Sequence, residues 1–248
     1  MRAPILLHLL LFVVLVVFLA APQTFQPFFA PFAANGAPAI YTQSSLLALT
    51  LSHLAMVAAA TLAAAIVSIG LAIIVTRPSG REFLPLSRSI ANIGQTFPPV
   101  AVLALAVPVF GFGPIPTLIA LFLYGLLPIF ENALTGITSV PPSVQEAARG
   151  VGMTDMQRLA RVELPLALPI ILTGIRLTAV ISLGTATIGS TVAAKTLGEV
   201  IIAGLISNNT AFVLQGGLIV AVLAFFIHEG FALLEAALAG WAGAVQTA

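Results

Sequence analysis

The largest group of charged side chains in this sequence lies between positions 140 and 165. There Glu146, Arg149, Asp155, Arg158, Arg161 and Glu163 share one polar stretch. These residue types can dock against another surface, but nothing beside them can break a bond. No Ser/His/Asp or Cys/His arrangement has a pattern that activates a nucleophile. The chain has no cysteine, which removes disulfides and thiolate metal sites. His8, His53 and His228 lie far apart with no ligand spacing. No stretch reads G-x-x-x-x-G-K-[ST], so no phosphate cradle is encoded. A second set of polar residues, Gln95, Thr96, Arg176, Thr185 and Thr187, is scattered through apolar sequence. In lipid such groups mark either a solute route or a contact that locks helices. For Arg176 the two readings are a gate residue and an ion pair or carbonyl contact near the inner face. For Gln95 and the threonines they are a polar route and a bond to backbone or neighbour.

Local physics organises the 140–165 stretch into two short amphipathic helices. Ser143 can cap the first, with Glu146 three residues on completing a capping box. Val144, Ala147, Ala148 and Val151 would share its apolar face, and Gly152 would end it at C′. Thr154 can cap the second, with Gln157 at the capping-box spacing and Met156, Leu159, Ala160 and Val162 on its apolar side. Pro165 suits the first turn of the helix that follows. An interfacial re-entry without a partner would satisfy the same pattern.

The elements that carry these residues are set by composition. The 248 residues are 60% hydrophobic and 7% charged, against about 25% charged in a soluble domain. That balance excludes a water-soluble fold, and nine scattered Lys and Arg exclude a nucleic-acid surface. Runs of ~20 apolar residues suffice to span a bilayer. Such runs are read at 4–21, 45–76, 90–110, 117–133, 165–188 and 212–239. The first has the flanks of a signal peptide, but its length and Ala20-Ala21-Pro22 favour a retained helix. Residues 22–45 read as an uncharged loop with an aromatic, interfacial segment. The 45–76 run exceeds the ~30 Å hydrocarbon core at ~1.5 Å per residue, so it tilts or leaves its first turns, including His53, in the interface. Its small residues (Ala58 to Ala60, Ala63 to Ala65, Ser68, Gly70) permit close helix packing in lipid. Prolines at 98, 99, 108, 128 and 169 read as kinks around a cavity, or as ordinary kinked packing.

Positive charge sets the orientation. Six spans starting inside place Arg2, Arg77, Arg81, Arg88, Arg149, Arg158 and Arg161 in the cytoplasm and leave Lys195 outside. Glu131, His228 and Glu229 then fall near the inner side, and so does the 140–165 stretch.

Glu146-Ala147-Ala148, then Gly152, then Val162, Leu164 and Pro165 resembles the "EAA" loop of permeases in ATP-binding-cassette importers. Val162 stands where that family usually has Ile. The resemblance implies an all-helical, type I importer permease of about six transmembrane helices, in which residues 141–165 dock on a separate ATPase. In that role Ala147 and Ala148 keep the helix slim, Gly152 permits the bend, and Glu146 and Arg149 make rim contacts. Gln95-Thr96-Phe97-Pro98-Pro99, Leu123 to Pro128, Glu163 to Ala167 and Gly184 to Ile188 resemble, more narrowly, the osmoprotectant importers of the glycine betaine, choline and carnitine type. The likeness runs from roughly 45 to 235, and implies residues 1–45 as an N-terminal helix with a periplasmic segment and 46–248 as the permease domain.

The resemblance further implies that this chain is no enzyme and holds no cofactor, with ATP and Mg bound by the partner. It implies cytoplasmic ATPase subunits, a second permease (like or unlike), an external substrate-binding protein and a bacterial inner membrane, with both termini cytoplasmic. The short length resembles the smaller of two permeases in systems that use a pair. Trp241, Tyr41 and Tyr124 are too widely spaced in sequence to suggest an aromatic cage for a quaternary ammonium. Other readings are a permease for an amino acid or oxyanion, an ATP-independent transporter, for which no internal repeat is visible, and a scaffold.

Overall fold

The computed structural model describes residues 2–33 and 36–246, with side chains described for 6–33 and 36–238. Arg2 and Trp241 fall outside the described side chains. All regular structure among the described residues is helical. The elements are α1 (Arg2–Ala20), α2 (Leu46–Thr76), α3 (Leu84–Thr96), α4 (Pro99–Phe110), α5 (Pro114–Thr138), α6 (Pro142–Gly150), α7 (Asp155–Arg158), α8 (Leu164–Ala186), α9 (Gly198–Ile206) and α10 (Thr210–Gln246). Leu46–Thr76, Pro114–Thr138, Asp155–Val192 and Thr210–Leu238 are long and apolar enough to cross a membrane. Two bent pairs raise the number to six if each is one span.

Proline decides where several elements begin and break. Pro22, Pro27 and Pro31 sit in the first turns of three short helices over 22–32, so the expected loop is a run of helical turns bent 113° from α1. The single kinked helix expected over 90–110 is instead two, α3 and α4, with a break at 97–98. Phe97 between them is extended, at φ −95° and ψ 133°. A residue before proline is pushed out of the α region by its neighbour's ring, and here that preference breaks the helix and does not merely kink it.

The chain forms two compact units. The first comprises Met1–Ala58, Val100–Ile119 and Leu183–Phe226. In it α1 packs on α10 through rings: His8 stacks on Phe225 at 5.2 Å and Phe12 meets Phe226 edge-on at 5.8 Å. Phe18 is stacked on Phe29 at 5.4 Å, which holds the short helices against α1. The segment before α2 is pinned by amides of and just before α10. Asn209 Nδ2 donates to Pro38 O (2.9 Å), Gln215 Nε2 donates to Ala39 O (2.8 Å), and Tyr41 N donates to Gln215 Oε1 (3.1 Å).

His53, in the second turn of α2, has a structural role. Its side chain is fully buried in protein. Leu197 N donates to Nδ1 at 3.3 Å, which assigns the ring proton to Nε2, and that nitrogen donates to Leu183 O at 3.0 Å. The carbonyl lies where α8 tightens into the 3₁₀ turn Thr187–Val192. A neutral imidazole thus bridges a carbonyl near the end of α8 and the backbone N–H of the residue that precedes α9.

The second unit comprises Ala59–Pro99, Ala120–Ser182 and Ile227–Ala248. Its core draws on α2, α5 and α8, with Ala64, Ala72, Ile129, Phe130, Ala133 and Ala167 buried. Small residues let the backbones meet, as expected for helices in lipid. A Cβ at Gly94 would lie 1.9 Å from Leu123 O, so no other residue fits that crossing of α3 and α5 unchanged.

Candidate functional site

The 140–165 stretch belongs wholly to the second unit. α6 starts one residue before the expected cap, at Pro142, with Pro141 as its N-cap and no side-chain capping bond. Ser143 therefore does not cap it. Proline's fixed φ pre-sets the first turn and displaces the Ser143–Glu146 box. At the other end Gly152 has φ +80°. Gly152 N donates to Arg149 O (2.9 Å) and Met153 N to Ala148 O (3.1 Å), the paired bonds of a Schellman ending. The expected apolar face splits. Ala148 is buried and Val144 half-buried, whereas Ala147 is exposed and Val151 is 75% exposed. Glu146 and Arg149 are exposed beside them.

The second helix has the capping box that its spacing predicts: Thr154 Oγ1 accepts from Gln157 N (3.3 Å), and Gln157 Oε1 accepts from Thr154 N (2.9 Å). It does not stop before Pro165, however. α7 runs through a π-turn, Leu159–Glu163, into α8. Proline has no N–H and its ring crowds the carbonyl four residues back. The π-turn relieves this, with Leu164 N bonding to Leu159 O. Val162, Leu164 and Pro165 are half-buried on this continuous helix, and Met156 is 71% exposed.

The wide turn also brings residues five apart onto one side, and this creates a contact that the sequence did not announce. Glu163 is 3% exposed. Its Oε1 accepts from Arg158 Nε at 3.1 Å, and its Oε2 is bonded to Nη2 of Arg77, the residue after α2. Arg158 Nη2 also pairs with Asp155 at 3.0 Å. A buried carboxylate between two guanidiniums fixes the root of the loop to the end of α2. The available signal was the pairing of scarce charges in a chain with so few.

The scattered polar residues have structural partners. Pro128 cannot bond Tyr124 O, and Gln95 Nε2 donates to that freed carbonyl at 2.9 Å. Ser68 Oγ bonds the carbonyl of Leu126 at 2.9 Å. The cavity beside Gln95, lined also by Pro128, Thr178 and Ser182, holds about 10 Å³, the space of about one water. Thr96 Oγ1 donates to Asn92 O (2.9 Å) and Thr187 Oγ1 to Gly184 O (2.6 Å); Thr185 is half-buried. Arg176 Nε lies 3.3 Å from Glu235 Oε1, and the pair faces an open cleft of about 440 Å³ with Pro169 and Thr173. Arg88 Nε pairs with Glu131 at 2.6 Å. No group of three His, Asp or Glu able to hold a metal occurs among the described residues.

Residues 68–239, which include the whole 140–165 stretch, match the family described as the binding-protein-dependent transport system inner membrane component. The chain belongs to this family. As a family member it is also 41% identical to the osmoprotectant import permease protein OsmY of Salmonella typhimurium, over 75% of this chain and 78% of that protein. It is 35% identical to the choline transport system permease protein OpuBB of Bacillus subtilis, over 77% of this chain and 87% of that protein. In fold, this permease is similar to a chain of the MetNI methionine ABC transporter in an inward-facing conformation. The TM-score is 0.70 at 21% identity, covering 78% of this permease and 95% of that chain. The all-helical membrane fold expected from the sequence is thus the fold found.

Proposed function

We propose that this permease subunit serves an ATP-driven importer whose solute is a small quaternary ammonium osmoprotectant, glycine betaine or choline in type. The observation that carries the substrate class is its 41% and 35% identity to permeases named for osmoprotectant and choline transport. The energy enters through residues 141–165. Ala147, Val151 and Met156 are exposed apolar side chains, and Glu146 and Arg149 are exposed beside the first two. That combination suits docking in a groove of a separate ATPase, which binds ATP and Mg, while Ala148, Val162, Leu164 and Pro165 anchor the loop to the bundle. A second permease, like or unlike, completes the route, and an external binding protein delivers the solute. Both termini and the 141–165 loop face the cytoplasm. Residues 1–45 act as an N-terminal helix with an external segment, ahead of the permease domain proper.

In this scheme ATP closes the ATPases, the loop moves with them, and the helices switch between two packings as rigid bodies. Reconstituted vesicles carrying the permease, ATPase and binding protein test the reading. Labelled glycine betaine or choline should accumulate with ATP, and an amino acid and molybdate should not. Accumulation of the amino acid or molybdate alone would overturn the substrate class, and uptake that survives nucleotide depletion would overturn the ATP-driven mechanism.

A further inference from the structure

Glu199 is the one carboxylate side chain in the sequence segments of the first unit. It stands in the first turn of α9 and lines an open cleft of about 510 Å³ with Pro38, Gln43, Ser190, Ile202 and Phe212. That volume is within the ~300–1,000 Å³ usual for small-molecule sites. The carboxylate is held from one side only. Tyr41 Oη donates to Oε1 at 2.7 Å, and Ser44 Oγ donates to the same oxygen. Among the described residues Oε2 takes no hydrogen bond and no cation pairs with Glu199. The Tyr41 phenol is pushed up to about 12, by burial first and by Glu199 second. It therefore remains a hydroxyl at neutral pH and orients the carboxylate without cancelling its charge.

Two hydroxyls and the N-terminal end of α9 steady this carboxylate, but no full positive charge faces it among the described residues, so the cleft has a place for a cation. The lining narrows the kind. Ile202, Ala203 and Pro38 offer methyl and methylene surface, and Phe212 adds a ring, edge-on to Tyr41 at 5.3 Å. Gln43, Ser190, Ser207 and Asn209 also line the cleft, but Ser190, Ser207 and Asn209 are engaged with groups of the protein itself: Ser190 with Ala194 O and Thr196, Ser207 with Ala203 O, and Asn209 with Pro38 O and Ala211 N. A metal ion needs several oxygen or nitrogen ligands, and a primary ammonium needs an acceptor for each N–H. A cation sheathed in methyl groups needs neither, and gains from aromatic and apolar contact.

We propose that the Glu199 cleft binds the trimethylammonium group of the solute, with Glu199 as the charged contact, Phe212 beside it, and Tyr41 and Ser44 as positioning residues. This rests on the substrate class given under Proposed function.

The test uses the assembled transporter in vesicles. Glu199→Gln keeps an acceptor for Tyr41 and Ser44 but removes the charge, and Glu199→Asp restores it. With ATPase co-purification showing that each variant assembles, Glu199→Gln should raise the KM for choline roughly tenfold, as the loss of one near-surface charge contact implies. Glu199→Asp should recover most of that. A Glu199→Gln transporter with wild-type KM for choline and glycine betaine overturns this inference and leaves the substrate class standing. If the wild type imports neither compound, the substrate class falls. The cleft is then judged separately, by whether tetramethylammonium protects Glu199 from a water-soluble carbodiimide. Protection supports the site, and unchanged labelling overturns it.

Discussion

Glu163→Gln should separate ATP hydrolysis from transport. Glu163 is 3% exposed and bonds Arg158 and Arg77 through different oxygens, so glutamine keeps one acceptor, loses the charge and turns an N–H₂ toward a guanidinium. Removing one partner of a buried ion pair costs about 3–5 kcal/mol. Two features lower that here: Arg77 is 22% exposed, and Arg158 keeps Asp155 at 3.0 Å. The expected loss is therefore about 2–3 kcal/mol. It falls on the joint between the loop and α2, so the loop should follow the ATPase less faithfully. In vesicles with ATPase and binding protein, the ATP hydrolysed per solute imported should rise several-fold, and thermal unfolding in detergent should show the lost stability. Asp155→Ala is the control, since that carboxylate is 80% exposed and such a pair contributes about 0–1 kcal/mol. A Glu163→Gln protein with unchanged stability and an unchanged ATP-to-solute ratio would refute the reasoning.

Gly94→Ala places a Cβ 1.9 Å from a main-chain carbonyl and should cost about 1–3 kcal/mol or more by overpacking, seen as a lower unfolding temperature. Gln95→Leu leaves Tyr124 O without its donor and should cost about 1–3 kcal/mol. If Gln95 instead serves only the solute, the variant unfolds like the wild type while KM changes. Gly152→Ala meets no neighbouring atom, but its φ is +80°. The strain of about 1–2 kcal/mol should weaken ATPase co-purification, and Gly152→Asn, which tolerates this conformation, should restore most of it.

The spans that stand as single long helices and the two short helices of the 140–165 stretch were legible because each rests on local sequence: apolar length, the Thr154–Gln157 spacing, the glycine at 152. What was misread depends on competition between neighbours. Ser143 is a sound cap until Pro141 and Pro142 start the helix for it. Pro98-Pro99 permits a kink or a break, and only the extended backbone at Phe97 decides. Pro165 falls in the first turn of α8, as its residue type predicts, yet a π-turn joins α8 to α7 without a break and thereby pairs Arg158 with Glu163. Contacts across long separations were invisible: Tyr41 with Glu199, His53 with Leu183 and Leu197, and Gln95 with the carbonyl that Pro128 frees. Periodicity says nothing about which helix will supply the missing partner.

The central claim is that residues 141–165 receive mechanical work from an ATPase. The chain has no cysteine, so single-cysteine crosslinking reads directly. Val151→Cys and Met156→Cys, at sites 75% and 71% exposed, should crosslink to the ATPase in the assembled transporter, and Ile206→Cys, 80% exposed on α9, should not. Labelling of positions 151 and 156 from the external side, with no crosslink to any ATPase, would contradict the account.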